Sequence, residues 1–475
     1  MKNPLSRRDF LKAAAMAAGG ITTLGMGNPI PLPLGNAVET FDPNDSFWAK
    51  EQPLANPALQ KDITTEVAII GGGYTGLSTA WHLAQFHPKL DIVILEARQL
   101  GNGASGRHGG MVLSQTGSES FEIASDSNEK THKWTYDLTV KSMRSLEKLV
   151  KDSGVDCGLE LNGFCYAIID EEDLEDDSAY VAKARKLGMP LEFWDADKTA
   201  EKLGTAYYSG AIYDPNGGHV HAMKLIKALK KMVEQAGVHI YENSPVTKVE
   251  EGKTIRLKVG TQGNTVSASS IVLATNGYTG ELGYFKNQVI PVHAQCAVTP
   301  PLSKKQLAGM AWESRLPFFD SRYLLYHLVL TDDNRIVIGG GSADYFMFDN
   351  LHYQGNLAKI GNTMLQEMVR IFPALRGIQF EQVWDGILAM TFDEYEAAGV
   401  MGTNQNIYYG LGYCGHGVNS SFLFGNVIAS TYNHVVSGWE RTAYANEPLA
   451  SMPPDIFKWL GVNGITTYYH LKDGK

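Results

Sequence analysis

Two runs of apolar, β-branched residues near the start of the chain predict buried strands. The first covers 66–70 (Glu-Val-Ala-Ile-Ile) and the second covers 91–95 (Asp-Ile-Val-Ile-Leu). Both are continuous rather than alternating, which is typical of parallel strands covered on both faces. Between them, apolar residues recur with helical spacing over 77–85. The order strand, helix, strand therefore predicts a βαβ unit.

Glycines at fixed places give this βαβ unit the features of a dinucleotide-binding motif. The first strand runs directly into Gly71, Gly73 and Gly76, and the second strand ends in Glu96, about 20 residues further on. Glycine permits the tight turn and the close approach of backbone to a pyrophosphate, and the acidic residue accepts hydrogen bonds from a ribose. The helix N-terminus offers unpaired N–H groups to the phosphates. This unit alone does not show whether the cofactor is NAD or FAD.

Three later segments narrow the choice of cofactor. A loop of small residues covers 101–111, a buried strand ending in a turn is predicted over 270–277, and a strand, a glycine loop and a helix start follow over 409–418. With the first motif, and in the same order, they resemble the D-amino-acid oxidase family of FAD-dependent amine oxidoreductases over about residues 60–440. The resemblance implies FAD as cofactor. It also implies an α/β fold, in which a Rossmann-type FAD-binding domain carries an inserted α+β substrate domain built on an antiparallel sheet.

The resemblance implies which residues hold the cofactor. Glu96 is expected at the adenosine ribose, Val246 at the adenine, and a helix starting near Val418 at the end of the flavin that becomes negative on reduction. The full set of expected FAD-binding residues is Gly71, Gly73, Tyr74, Thr75, Gly76, Glu96, Ala97, Arg98, Ala104, Ser105, Arg107, His108, Gly109, Gly110, Met111, Val246, Ala274, Thr275, Asn276, Gly277, Gly415, His416, Gly417 and Val418.

The same resemblance divides the chain into discontinuous domains. The predicted boundaries are 60–150, 207–285 and 380–440 for the FAD-binding domain, 151–206 and 286–379 for the substrate domain, and 441–475 for a C-terminal extension.

The implied reaction is oxidation of the C–N bond of an amine, either a polyamine derivative or an amino acid. Hydride transfer to flavin N5 would give an imine, which then hydrolyses, and the electrons would pass to O₂ or a quinone. The candidate catalytic residues are His108, His293, Tyr326, Trp384 and His416. Gln295, Tyr323 and Phe346 are further candidates for the substrate side. Aromatic residues on strands are more often core residues, so each carries this role as a hypothesis.

Two rival functions stay open at this point. A D-amino-acid or glycine-type dehydrogenase is favoured if Arg335 binds a substrate carboxylate, although Arg335 also fits a hairpin turn in which it pairs locally. A non-catalytic flavin-binding protein is the second rival, because the segment 391–396 lacks a proline that many relatives carry.

Two further histidine hypotheses concern bonds to the flavin and to metals. His108 either bonds covalently to the flavin or, as we prefer, only hydrogen-bonds it or shapes the pocket. His219 and His221 lie two positions apart, but no third ligand is evident, so no metal site is predicted.

Charge and cysteine content exclude other classes of protein. Lys and Arg number 41 against 51 Asp and Glu, for a net charge of -10, and there is no dense basic run beyond the first dozen residues. Nucleic-acid binding is therefore not expected. The four cysteines form no Cys-x-x-Cys pair, so neither a zinc motif nor a thioredoxin-like motif is present.

The first residues predict an export signal. The segment 6–12 (Ser-Arg-Arg-Asp-Phe-Leu-Lys), followed by an Ala/Gly-rich run, resembles a twin-arginine signal covering 1–37. The small, apolar stretch 13–27 is shorter than the about 20 residues that cross a bilayer, so no integral membrane span is expected. The predicted location is the periplasm or cell envelope.

Overall fold

The computed structural model describes residues 46–116, 129–352, 356–442, 445 and 448–474. The predicted twin-arginine signal lies outside the described residues. The helices are α1 (Tyr74–Phe86), α2 (Glu129–Ser153), α3 (Leu174–Lys186), α4 (Ala196–Leu203), α5 (Ala222–Gln235), α6 (Lys304–Met310), α7 (Leu357–Ile371), α8 (Gly417–Tyr432) and α9 (Asp455–Lys472). The strands are β1 (Ile63–Ile70), β2 (Ile92–Leu95), β3 (Met111–Leu113), β4 (Phe164–Ile168), β5 (Glu192–Asp195), β6 (Gly210–Asp214), β7 (Gly217–His219), β8 (His239–Tyr241), β9 (Val246–Glu250), β10 (Ile255–Val259), β11 (Asn264–Leu273), β12 (Ile290–Val298), β13 (Phe318–Asp320), β14 (Tyr326–Leu330), β15 (Ile336–Gly340), β16 (Gln382–Met390), β17 (Ala397–Met401) and β18 (Ile407–Leu411).

The first sheet contains the predicted βαβ unit. Its order is β17-β18-β11-β1-β2-β8, in which all neighbours are parallel except the β17–β18 pair, and β9 and β10 extend from β11 as an antiparallel ribbon. Strand β1 is covered on both faces, since Val67 and Ile69 belong to one core cluster whereas Ala68 and Ile70 belong to another. This double burial explains why the strand is apolar without alternation.

The second sheet has the order β16-β12-β15-β14-β13-β4-β6-β5, and its neighbours are antiparallel except the β13–β4 pair. Helix α7 packs under it, where Met364 and Met368 meet Phe318, Trp312 and Phe372 in one core cluster. The predicted mixed α/β fold with an antiparallel sheet is confirmed.

Two strands belong to a different sheet from the one that the predicted domain boundaries imply. Strands β6 and β16 fall inside ranges assigned to the FAD-binding domain, but both pair within the second sheet. Strand β16 pairs with β12 along nine residues, from Gln382 opposite Val298 to Met390 opposite Ile290. This long antiparallel register fixes its place by backbone hydrogen bonding. The division into domains stays a prediction.

The last helix, α9, lies against the second sheet. The Asp473 carboxylate that follows it accepts hydrogen bonds from the N–H groups of Tyr323 (3.0 Å) and Leu324 (2.9 Å). Near its start, Lys458 is buried and pairs with Asp349 at 2.7 Å. In the part of the chain that the structure describes, no helix is both long and apolar enough to cross a membrane.

Candidate active site

A cavity of about 560 Å³ opens at the carboxyl ends of the central parallel strands. This is the place where open α/β sheets bind their ligands. The expected FAD-binding residues that line it are Gly71, Gly73, Tyr74, Thr75, Glu96, Ala97, Arg98, Ala104, Ser105, His108, Val246, Ala274, Thr275, Asn276, Gly277, Gly415, Gly417 and Val418.

The glycine turn at the start of α1 has no room for side chains. Gly71 has φ +107°, and a Cβ there would stand 2.6 Å from the carbonyl oxygen of Ala274. A Cβ on Gly76 would stand 2.0 Å from the carbonyl oxygen of Gly71. Gly76 therefore does not line the cavity but lets the helix pack on the turn, which is the role that the motif assigns to its last glycine.

Backbone N–H groups around this turn donate to side chains at the cavity wall. The cap residue Gly73 offers no side chain, and the Tyr74 N–H donates to Ser105 Oγ at 3.0 Å. Glu96 accepts hydrogen bonds from the N–H groups of Gly72 (2.7 Å) and Arg98 (2.9 Å), which hold its carboxyl group at the cavity wall. Burial raises the pKa of Glu96, and these two donors oppose the rise.

A second cavity of about 360 Å³ adjoins the first. The residues that line both are Ala104, His108, Leu388, Cys414, Gly415 and Val418. Helix α8 begins at this junction with no side-chain cap, so the positive end of its dipole faces the boundary between the cavities. Of the remaining expected FAD-binding residues, Arg107, Gly109, Met111 and His416 line the second cavity, and Gly110 lines neither.

His108 stands at the junction as a neutral imidazole. Its Nδ1 accepts a hydrogen bond from the Gly110 N–H at 3.0 Å, so the ring proton is assigned to Nε2. Nε2 lies 2.9 Å from the Tyr74 hydroxyl, which in turn donates to the Ala222 carbonyl at 2.9 Å. Burial lowers the pKa of His108 to about 3. Both ring nitrogens are occupied by the protein, which supports the hydrogen-bonded role for His108 over the covalent one.

Arg107 is used within the protein. Its guanidinium is buried and donates to the carbonyl oxygens of Asn102 (2.7 Å) and Asp385 (3.0 Å), and its own carbonyl accepts from the Trp384 indole at 2.8 Å. Arg107 therefore fastens the glycine-rich loop to strand β16.

Three of the candidate catalytic residues line neither cavity. Tyr326, His293 and Trp384 are buried in the core, away from the lining of both cavities, and their role on the substrate side stays a prediction. On β14 and β12 the reason is strand alternation, because successive side chains point to opposite faces. The residues next to them, which are His327 on β14 and Val292 on β12, line the second cavity instead.

His293, Trp384 and Phe346 each contact other residues of the protein. His293 Nδ1 lies 2.8 Å from the Asp385 carboxylate, and Phe346 packs edge-on against the His293 ring at 5.0 Å. The Trp384 indole N–H donates to the Arg107 carbonyl. Of the further candidates, Gln295 and Tyr323 line the second cavity, and Phe346 does not.

Sequence reasoning missed His327. It lies between two glycines, and a Cβ on Gly109 or Gly339 would come within 2.5 Å of its ring. Its Nε2 is buried without a hydrogen-bond partner among the described residues. Burial lowers the pKa of His327 to about 4, so the ring is neutral at pH 7. The signal available in the sequence was the alternation of β14, which places His327 and Tyr326 on opposite faces.

Helix α9 is the second feature that was missed. Its residues Val462, Ile465, Thr466 and Tyr469 form part of the wall of the second cavity. The Tyr469 ring stacks on Tyr323 with centroids 4.9 Å apart. The predicted C-terminal extension is therefore part of the second cavity, a contact that no local motif indicates.

Arg335, the candidate for a substrate carboxylate, lies elsewhere. Its guanidinium donates to the Asp333 carboxylate at 2.7 Å, to the Thr299 carbonyl at 3.0 Å and to Glu381. It lines neither cavity. The alternative of a local partner in the hairpin turn is the one observed.

A glycine turn, a helix N-terminus and an acidic residue around one cavity, with a second cavity at its end, define a dinucleotide-binding oxidoreductase. Residues 66–431 match the FAD dependent oxidoreductase family, and the chain belongs to this family. FAD is its cofactor, and the glycine turn, the N-termini of α1 and α8 and the cavity fit that group.

The chain is similar to curated and solved members of the family. It is 29% identical over 397 residues to gamma-glutamylputrescine oxidoreductase of Escherichia coli (strain K12), covering 83% of this chain and 89% of that protein. It is 24% identical to glycine oxidase of Geobacillus kaustophilus, covering 77% and 92%. The crystal structure of that glycine oxidase superposes with a TM-score of 0.67, at 22% identity, over 82% of this chain and 98% of that chain. The likeness in structure confirms the fold.

Proposed function

We propose that this protein oxidises the C–N bond of an amine whose reacting carbon bears no carboxylate. The observation that carries the proposal is the charge in the second cavity. Among the described residues that line it, the charged side chains are Glu394 and Arg107, and Arg107 is buried and bonded to backbone carbonyls. An α-amino acid needs a cation for its carboxylate, whereas an alkylammonium group needs an anion.

Glu394 is placed in the cavity by a tight turn. It has φ +59°, a conformation that costs energy for a residue with a side chain. Its N–H donates to the Thr391 carbonyl at 3.3 Å, and the Thr391 hydroxyl donates to the Tyr395 carbonyl at 2.8 Å. This is the acidic segment that departs from the proline found in many relatives. The departure supports a change in substrate rather than a lost site.

Two of the three imidazoles that line the second cavity, His108 and His327, carry no competing positive charge. Because burial lowers the pKa of His108 to about 3 and that of His327 to about 4, both rings are neutral at pH 7. An ammonium group therefore meets the Glu394 carboxylate without repulsion from these rings. The apolar side chains around it, which include Met111, Phe319 and Ile465, favour an apolar substituent on the amine.

FAD, when bound in the larger cavity, supplies the two-electron acceptor for this oxidation. The chain positions both reactants at the junction of the cavities. The N-terminus of α8, at Gly417 and Val418, presents its dipole to negative charge that develops there. His108 is held by Tyr74 and Gly110 and fixes the wall shared by the two cavities. The Escherichia coli relative is named for an amine, gamma-glutamylputrescine, which supports this choice of substrate class.

The test is anaerobic mixing of the purified flavoprotein with alkylamines, polyamine derivatives, N-methyl amino acids and D-amino acids. The proposal expects amines without an α-carboxylate to bleach the flavin fastest. Bleaching by amino acids alone would overturn it and favour the rival dehydrogenase. Reduction by dithionite but by none of these compounds would instead favour a non-catalytic flavin-binding protein.

We also propose that the chain is exported to the periplasm or cell envelope by the twin-arginine route. The proposal is supported by Arg7 and Arg8 ahead of a short apolar run. Cell fractionation of the wild type and of the Arg7→Lys/Arg8→Lys double variant tests it, since the variant is expected to stay inside the cell. Equal distribution of both forms would overturn it. Single-turnover reoxidation by O₂ and by a water-soluble quinone decides which acceptor is used.

A further inference from the structure

Three side chains from separate segments meet outside both cavities. Glu160 precedes β4, His219 ends β7, and Asp332 lies in the turn between β14 and β15. One ligand atom from each lies within 4.8 Å of the other two. The sequence placed His219 beside His221 and found no third ligand. The fold supplies two carboxylates from more distant positions instead.

His219 is an unsatisfied buried group that faces these carboxylates. The residue is 5% exposed, and neither ring nitrogen has a hydrogen-bond partner among the described residues. Its Nε2 lies 3.9 Å from Asp332 Oδ1, which is too far for a hydrogen bond. A buried imidazole without partners is costly, and a group that binds its lone pair would remove that cost.

The backbone fixes two of the three residues opposite one another. Glu160 and His219 form an antiparallel bridge, in which the N–H of each donates to the carbonyl of the other at 3.0 Å. Residues directly opposite in such a pair project their side chains to the same face. A Cβ on Gly218 would stand 1.8 Å from the Glu160 carbonyl oxygen, so glycine is required for this approach.

The third residue is brought in by a hairpin turn. The Arg315 guanidinium donates to Asn334 Oδ1 at 3.0 Å and to the Thr331 carbonyl, which holds the turn that carries Asp332. Asp332 Oδ2 lies 2.8 Å from the position that a Cβ on Gly158 would take, so its carboxylate lies against the loop that carries Glu160.

We propose that Glu160, His219 and Asp332 bind one divalent transition-metal ion of the Zn²⁺ type. An imidazole nitrogen with two carboxylates suits Zn²⁺, whereas Ca²⁺ and Mg²⁺ prefer oxygen ligands alone. Zn²⁺ bonds of about 2.0–2.2 Å require the carboxylates to move inward, and their exposure permits it. The two negative charges balance the ion, and water completes the coordination.

The ion would fasten three segments of the chain to one another. Strand β7 also pairs with β3, where Met111 stands opposite His219 and lines the second cavity. The site therefore lies one strand away from the cavity wall. It acts on stability and takes no part in the oxidation.

The first test is isothermal titration calorimetry on the FAD-loaded protein, stripped with a chelator and titrated with ZnCl₂. We expect one Zn²⁺ per chain, with affinity weakened by roughly tenfold or more in Glu160→Gln and in Asp332→Asn. The control is Asp156→Asn, because residue 156 accepts the Gly158 N–H at 3.1 Å and asparagine keeps that bond. Unchanged affinity in both carboxylate variants, or no binding to the wild type, would overturn the proposal.

The second test is X-ray absorption spectroscopy of the Zn²⁺-loaded protein. We expect nitrogen and oxygen ligands with one imidazole, and loss of the imidazole signal in His219→Gln at an unchanged flavin spectrum. Sulphur ligation would assign the ion to one of the cysteines and overturn the site. Mg²⁺ serves as the reference ion and is expected to give no comparable heat.

Discussion

The two adjoining cavities are built in different ways. The larger one is formed by short motifs at the ends of parallel strands, where Gly71 lines the cavity and Gly76 lets helix α1 pack on the turn. The second one is formed by side chains from alternating faces of antiparallel strands and by helix α9. Cofactor binding is therefore encoded locally. The cavity that we propose for the substrate depends instead on strand register and on contacts between distant segments.

The strongest test of the locally encoded cavity is Gly76→Ala. The new Cβ would stand 2.0 Å from a backbone oxygen, so α1 must shift away from the turn. We expect a loss of about 3 kcal/mol or more in the free energy of unfolding and little bound FAD. Flavin absorbance per chain and thermal unfolding measure both effects.

The matched control is Gly461→Ala in α9, where a Cβ would meet nothing within 4 Å. It is expected to keep full flavin and wild-type stability or better. Full flavin content in Gly76→Ala would contradict the assignment of the glycine turn.

The strongest test of the second cavity is Glu394→Gln. Removing the carboxylate is expected to lower kcat/KM for cationic amines by about 10- to 100-fold, because a hydrogen bond to a charged group contributes roughly 1.5–3 kcal/mol. FAD content should not change, since Glu394 does not line the larger cavity. Steady-state kinetics measure the loss, with Asp393→Asn as the neighbouring control. An equal loss in both variants would point to the turn rather than to the charge.

Particular residues show why one cavity could be predicted and the other could not. Gly71 and Glu96 belong to a motif with fixed spacing, so their place follows from the sequence. Tyr326 and His327 are neighbours on a strand, and a shift of one position exchanges the core face for the cavity face. Apolar character does not decide between them, because both faces of β14 are largely buried.

Other parts of the second cavity depend on tertiary contacts. Tyr469 lies on α9, whose end is held against the second sheet by hydrogen bonds from the N–H groups of Tyr323 and Leu324 to Asp473. Asp473 is 150 residues from Tyr323 and 149 residues from Leu324 in the chain. The same holds for His219, whose acidic neighbours Glu160 and Asp332 are far from it in sequence. No periodicity or spacing reports such contacts.

The pH dependence of stability tests the buried imidazole of the second cavity. His327 has a pKa lowered from 6.5 to about 4 in the folded protein, so between these values the unfolded chain binds more protons. The contribution of the neutral His327 ring to the free energy of unfolding is fully present above pH 6.5 and is lost as the pH falls toward 4. His327→Gln should therefore flatten the fall in the free energy of unfolding between pH 6.5 and 4.5, by at most about 1.4 kcal/mol per pH unit, as measured by urea unfolding. The exposed His239→Gln is the control, and an identical profile for both would contradict the assignment.

A smaller effect is expected from the helix that closes the second cavity. Tyr469→Ala removes the ring that stacks on Tyr323 and widens the cavity, so KM for amines with a compact apolar substituent should rise by about fivefold, or roughly 1 kcal/mol. FAD content should stay constant. Leu471→Ala, on a residue that is 72% exposed at the end of the same helix, is the control. If both variants leave KM unchanged, α9 does not shape the substrate site.

The smallest effect is expected from a substitution of Arg335. This substitution distinguishes an amine substrate from an amino-acid substrate in the second cavity. The guanidinium is held by Asp333, Glu381 and the Thr299 carbonyl, and it lines neither cavity. Arg335→Leu should change kcat/KM by less than about twofold, and equally for amines and for D-amino acids, because it removes a largely structural ion pair. The ratio of the two kcat/KM values is the measurement, since it cancels any general loss of stability. A selective loss for acids of about 100-fold, the size expected for a broken charge-assisted contact, would show that the carboxylate reaches Arg335. Among the described residues that line the second cavity, the one Lys or Arg is Arg107, which is bonded to backbone carbonyls, so an unchanged ratio would leave Glu394 as the charge that selects the substrate.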